Sequence, residues 1–127
     1  MASTTFSGPV TSTNGFIGAL TGNVTGNVTG DVIATVQSLS GAGAVNITDM
    51  MTSLTTTGAS QALTLANGTV GQIKIITHTV DGGSAVLTPT TKIGFSTVTF
   101  TAVGDSVSLI YSSAGWAITG SNGVTIA

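Results

Sequence analysis

Between residues 20 and 36 the apolar positions recur every four: Leu20, Val24, Val28, Val32 and Val36, with Gly22, Gly26 and Gly30 two places after the first three. An even period keeps such positions on one side of an extended chain, whereas on a helix four residues sweep about 400° and the stripe drifts. Three glycines and many β-branched residues disfavour the helix further. The stretch predicts an extended ribbon with one apolar side. A single ribbon cannot bury that side against itself and needs either its own β-domain or symmetry-related copies; Val24, Val28 and Val32 are expected to pack between chains.

After residue 36 the period shortens to two. Alternating runs are read at Ser53 to Thr57, Gln61 to Leu65, "QIKIITHTV", "SAVLT", "STVTFTA", "SVSLIY", "WAIT" and "VTIA", separated by Asn67-Gly68, "DGG", "VGD", "SSAG" and Asn122-Gly123. Short strands with turn signals every eight to twelve residues predict an all-β fold, a small antiparallel sandwich or barrel. Within "QIKIITHTV" both sides carry apolar residues, which suggests a central strand or one with a bulge. "ITDMMTSL" alone has a pattern that accommodates a helical turn. Phe100, Tyr111 and Trp116 are the expected core or interface anchors.

Ahead of the ribbon, residues 1–19 scatter Phe6, Val10, Phe16 and Ile17 among Gly, Ser and Thr with no helical period. Pro9 and Asn14-Gly15 disfavour regular structure there. The chain thus divides into an extended arm, residues 1–36, and a compact β-domain, residues 37–127. Its 127 residues leave room for one modest core.

Charge changes the picture. Charged residues are 5% of the chain, against about 25% in an ordinary soluble domain. The two cations are Lys74 and Lys92, the four anions are aspartates, and the net charge is −2. Without a basic patch, phosphate-driven nucleic-acid binding is not expected. Apolar runs stop at four or five residues, far short of the roughly 20 that a spanning helix needs, so no membrane role is expected either. There is no cysteine, which removes disulfides and thiolate chemistry. No secretory signal is visible at the N-terminus, so synthesis in a cytoplasm is expected and the sequons at Asn23, Asn27, Asn46 and Asn67 carry little weight.

The inventory for catalysis is thin. His78 stands three residues before Asp81, and a strand places the two on opposite faces; a structural or surface role is the simpler reading. Asp31, Asp49, Asp81 and Asp105 are far apart in sequence and three stand beside glycine, which is turn chemistry more often than coordination. "GFSTV" lacks the closing glycine of a nucleophile elbow, and "GAGAVN" lacks the third glycine of a dinucleotide turn. No enzyme, metal site, cofactor or small-molecule substrate is expected. The rows Thr77/Thr79 and Thr97/Thr99/Thr101 do not recur at a constant period, so they are read as the solvent face of a sheet rather than an ice- or sugar-binding lattice.

Taken together, the "FSGP...NGF" arm, "GNVTGNVTGDV", "LTLANGTVGQIKII", "HTVDGGSAVLTPT", "VTFTAVGDSVSLIY" and the terminal "GSNGVTIA" give a chain that resembles the small β-rich structural proteins of tailed bacteriophages, especially those of marine phages. The resemblance implies a capsid decoration (cement) protein, a homotrimer seated on the outside of the major capsid protein shell and reinforcing it, made in the bacterial host cytoplasm. Its arm would clamp a capsid subunit or a neighbouring protomer through Phe6, Val10, Phe16 and Ile17. Two alternatives stay open: a short head or tail fibre that attaches to a host surface, and a self-assembling filament subunit.

Overall fold

The computed structural model describes residues 7–8, 13–14 and 25–127. It divides into two units, Met1–Asp31 and Val32–Ala127. In the first unit, Thr13 and Asn14 lie in a turn, and residues 25–31 are exposed, with bends at Gly26 and Gly30. Those two glycines have φ of 126° and 128°. A Cβ at either would meet nothing within 4 Å. Glycine is therefore required there by backbone conformation, which other residues rarely adopt, and the four-residue sequence repeat is a repeat of backbone shape. The ribbon is bent at each of these two glycines instead of running as a flat strand.

The second unit is all-β. Its ten strands are β1 (Val36–Ser40), β2 (Gly43–Val45), β3 (Met51–Thr55), β4 (Gln61–Leu65), β5 (Ile73–Val80), β6 (Ala85–Pro89), β7 (Val98–Phe100), β8 (Ser106–Ser112), β9 (Gly115–Asn122) and β10 (Thr125–Ile126). They form two five-stranded sheets, ordered β1-β3-β5-β8-β9 and β10-β7-β6-β4-β2. Buried Leu54, Ile76, Val107 and Leu109 of the first sheet share one core with Leu63, Leu65, Leu87, Val98 and Phe100 of the second. The sheets thus face each other as a sandwich.

The expectation of a wholly antiparallel fold is corrected by the pairing. From β1 to β6 successive strands alternate between the two sheets, and each pairs in parallel with the strand two places on: β1 with β3, β3 with β5, β2 with β4, β4 with β6. This half is a coil of three rungs, β1–β2, β3–β4 and β5–β6. Met51 lies beside Ile75 and Gln61 beside Ala85, 24 positions on in both cases. From β7 the coil stops. β7 returns antiparallel beside β6, and β8, β9 and β10 also pair antiparallel. Local alternation is the same in either arrangement, because side chains alternate faces whatever direction the neighbour runs.

The stretch read as a possible helical turn is strand β3 and the bends before it. Strand β5 is the middle strand of its sheet, as apolar residues on both its sides suggested. Strands β1 and β2 were not foreseen. In β1 the inward side chains are Gln37 and Leu39 while Val36 points out, so its apolar residues do not alternate.

Corners carry the glycines that the coil needs. A Cβ on Gly83, whose φ is 141°, would sit 2.4 Å from the Gly58 carbonyl, and one on Gly82 would sit 2.4 Å from the Thr56 carbonyl. The corner after β5 therefore lies directly on the corner after β3, backbone against backbone. Thr56 staples them: its hydroxyl donates to the Gly83 carbonyl at 3.0 Å and accepts from the Gly82 N–H at 2.9 Å.

Candidate interaction surface

Every charged side chain of the sequence lies within residues 25–127, and most are withdrawn from water or tied down. Lys74 is 0% exposed, its Nζ donating to the Asp49 carbonyl at 2.8 Å. Burial pushes its ammonium down to about 8, against the opposing pull of the Asp49 carboxylate. Half-buried Lys92 donates to the Pro89 carbonyl at 3.1 Å. Asp105 is buried and accepts from the N–H groups of Thr101 and Ala102 at 2.7 and 3.0 Å. The Thr101 N–H holds its carboxyl below the usual carboxylate range; burial opposes this, and Ala102, the Thr101 hydroxyl and nearby His78 reinforce it. Half-buried Asp49 accepts from the Asn46 amide at 2.7 Å. Only Asp31 and Asp81 are exposed.

His78 is sealed inside the sandwich, at 0% exposure. Its partner is Thr56, at 3.0 Å from Nε2, and not Asp81, which is exposed and accepts from the Gly83 N–H. Since the single Thr56 hydroxyl hydrogen goes to Gly83, Nε2 must carry the proton that points at Thr56 Oγ1. Nδ1 has no hydrogen-bond partner among the described residues. The His78 side chain meets the corner after β3 through Thr56, and its backbone N–H and carbonyl bond Asp105 and Gly104. Nor do three or more metal-ligating side chains converge anywhere among the described residues.

Apart from Asp31 and Asp81 the exposed side chains are neutral or partly withdrawn. Along the outer face of the first sheet, register stacks Ser38, Ser53, Thr77, Ser106 and Asn122 into one row. The adjoining row runs Val36, Met51, Ile75 and Ser108, with Ile73 beside Ile110 next to it. One end of the face is thus hydroxyl-bearing and the other apolar. The apolar end borders a groove of about 460 Å³ whose lining includes Ile33, Met50, Gln72 and Ile73. Ile33 is 89% exposed and Val36 51%. On the second sheet Thr99 lies in register with Val86 and Thr125. The threonine rows face outward, as read from the sequence, but the parallel rungs bring residues distant in sequence into the same lattice.

Of the residues expected to make contacts between chains, Phe6, Val10, Phe16, Ile17 and Val24 lie outside the described residues. Val28 is 62% and Val32 75% exposed. Phe100 and Trp116 are fully buried in the core, and half-buried Tyr111 packs edge-on to Trp116 with ring centroids 5.1 Å apart. Trp116 Nε1 donates to the Ala66 carbonyl at 2.8 Å, and its backbone bonds Thr91 and Ile93, so one residue of the first sheet fastens two loops of the second. Sequence reasoning missed the groove and the lattice, because both are made by rung stacking.

Among the described residues no helix is long and apolar enough to cross a membrane. Comparison with protein-family models and with curated proteins finds no match for this chain.

Proposed function

We propose that this protein is a bacteriophage capsid decoration protein, a homotrimer that binds the outside of the major capsid protein shell and stabilises it by binding alone. The observation that carries the reading is a surface almost free of charge, with exposed Val28, Val32, Ile33 and Val36, joined to a chain that resembles phage structural proteins along most of its length. A soluble protein ordinarily relies on scattered surface charge for colloidal stability. A subunit that spends its life packed on a shell has less need of it, and neutral surface is buried without the cost of stripping water from ions. In this reading the arm, with Phe6, Val10, Phe16 and Ile17, clamps a capsid subunit or a neighbouring protomer, and the Val24, Val28 and Val32 row packs against its copies.

A fibre that attaches to a host surface is the second reading, favoured by the backbone repeat at Gly26 and Gly30, which suits a multi-chain stalk. Quantitative densitometry of purified virions separates them. Hundreds of copies per particle are expected for decoration; tens or fewer would overturn it in favour of the fibre.

A further inference from the structure

Both sheets end in two edge strands, and the four edges are unequal. Strand β10 has two residues and β2 three, too short to template much pairing. Strand β9 is interrupted where its register against β8 shifts between Ser108 and Leu109, a bulge of the kind that twists an edge away from pairing. Strand β1 has none of these protections. It is five residues long, unbroken in register, and free of proline and charge; no charged residue occurs anywhere from Val32 to Asn46.

The hydrogen-bond pattern shows what β1 presents. The Met51 N–H donates to the Thr35 carbonyl at 3.1 Å, and the Gly41 N–H to the Thr55 carbonyl at 2.9 Å. In a parallel ladder, alternate residues of a strand turn both backbone groups to the same side. Thr35, Gln37, Leu39 and Gly41 therefore face β3, and the N–H and carbonyl groups of Val36, Ser38 and Ser40 face outward. This is also the first rung of the coil, so half-buried Leu39 lies where the core ends. Coiled folds ordinarily cover such an end with a polar cap; among the described residues none pairs with β1 on that side.

We infer that β1 is an interface with a second copy of this chain, the two β1 strands pairing antiparallel about a two-fold axis at Ser38. The edge is self-complementary in that arrangement. Val36 lies opposite Ser40 of the second copy and Ser38 opposite its equivalent, so the outward donors and acceptors meet in about six hydrogen bonds. The first sheet continues across the axis as ten strands, and nothing charged has to leave water. The contact uses neither the arm nor the valine row, and it stands or falls independently of the decoration reading.

The test is the mass of the purified full-length protein by multi-angle light scattering, for the wild type, Ser38→Lys and Ser38→Pro. Ser38→Lys sets two ammonium groups opposite each other across the axis. Ser38→Pro removes an outward N–H, which an edge strand tolerates in the isolated chain. Ala62→Lys, on the exposed outer face of β4, serves as a control for added charge. The expected result is a halving of the number of chains per particle in Ser38→Lys, with an unchanged circular dichroism spectrum, wild-type mass for Ala62→Lys, and amide exchange at the edge positions Val36 and Ser40 that is slow in the wild type and fast in Ser38→Lys. Should Ser38→Pro fail to fold, Ser38→Lys decides alone. A wild type of the same mass as Ser38→Lys, or a control that dissociates equally, overturns the interface.

Discussion

The parallel and antiparallel halves of the sandwich share one core but are held by different means. In the coiled half, β1–β6, the interior holds polar side chains: Thr52, Thr56, Lys74 and His78 are all buried. In the antiparallel half the inward positions of the strands are apolar, Val98, Phe100, Val107, Leu109 and Trp116, and the one buried carboxylate, Asp105, sits in a turn. The difference follows from backbone accounting. A β-hairpin such as β8–β9 turns in two residues, Ser113 and Ala114, and satisfies its own groups. A rung must leave one sheet, turn a corner and enter the other, and the corner's N–H and carbonyl groups have no ladder partner. Side chains reach back to supply them: Gln37 bonds Ala44 and Asn46, Gln72 bonds Ile47 and Thr69, Lys74 bonds Asp49, and Thr56 bonds Gly82 and Gly83. In the antiparallel half the same task falls to Asp105 at the crossing from β7 to β8 and to Ser112 at the β8–β9 hairpin, so the coiled half differs in how many of its corners are served this way.

The sharpest break in that contrast is expected at the apolar half's principal anchor. Trp116→Ala leaves a void where the indole filled the core and orphans the Ala66 carbonyl, at a cost of about 3–5 kcal/mol. Thermal unfolding followed by circular dichroism is expected to show a Tm lower by about 10 °C or more; a fall of a few degrees would mean the halves are not joined through this residue.

Glycine replacements separate corner stacking from backbone strain. Gly83→Ala, with backbone of the neighbouring rung 2.4 Å from the new Cβ, is expected to cost roughly 3 kcal/mol, combining overpacking with an unfavourable φ. Gly104→Ala, at φ 94° in open space between β7 and β8, bears the conformational cost alone, about 1 kcal/mol. Urea unfolding midpoints measure both. Equal losses would remove the claim that rungs touch backbone to backbone.

A separate effect is a pH dependence that arises in the coiled half. Because the folded-state Lys74 is pushed down to about 8 from an ordinary 10.5, the unfolded chain holds a proton through that interval that the folded chain releases. Stability therefore rises with pH between about 8 and 10.5, and below 8 the full burden of a buried ammonium remains. The gain is at most about 3 kcal/mol. Lys74→Met is expected to flatten it, seen as unfolding midpoints at pH 7, 9 and 11 that differ less in the variant than in the wild type. A wild type with no rise across this interval would show that the Asp49 contacts offset the burial.

Much of the strand content was legible. Gln61–Leu65 alternates cleanly and is β4 with the same bounds, while the two-sided apolar pattern of residues 72–80 marked the central strand. Pairing direction was not legible. Asn67-Gly68 and Asp81-Gly82-Gly83 read as turns between antiparallel strands, yet the first leads from β4 of one sheet to β5 of the other, and the second from β5 to β6. Turn chemistry specifies a reversal of the local backbone; it does not say which sheet the chain enters next. The candidate surface was legible only in part, since its hydroxyl row joins Ser38, Ser53, Thr77 and Ser106 from four separate strands.

Composition and local period by themselves determined that this chain is β-structured, nearly uncharged, and preceded by a glycine-punctuated repeat, because those properties depend on neighbours two to four residues away. Only the tertiary structure decided that half of it coils in parallel, that Lys74 and His78 are buried, and that β1 is left as an open edge. Those outcomes depend on which strands meet across 15 to 24 residues, where the stacking of glycine corners and the need to satisfy their backbone groups outweigh any local preference.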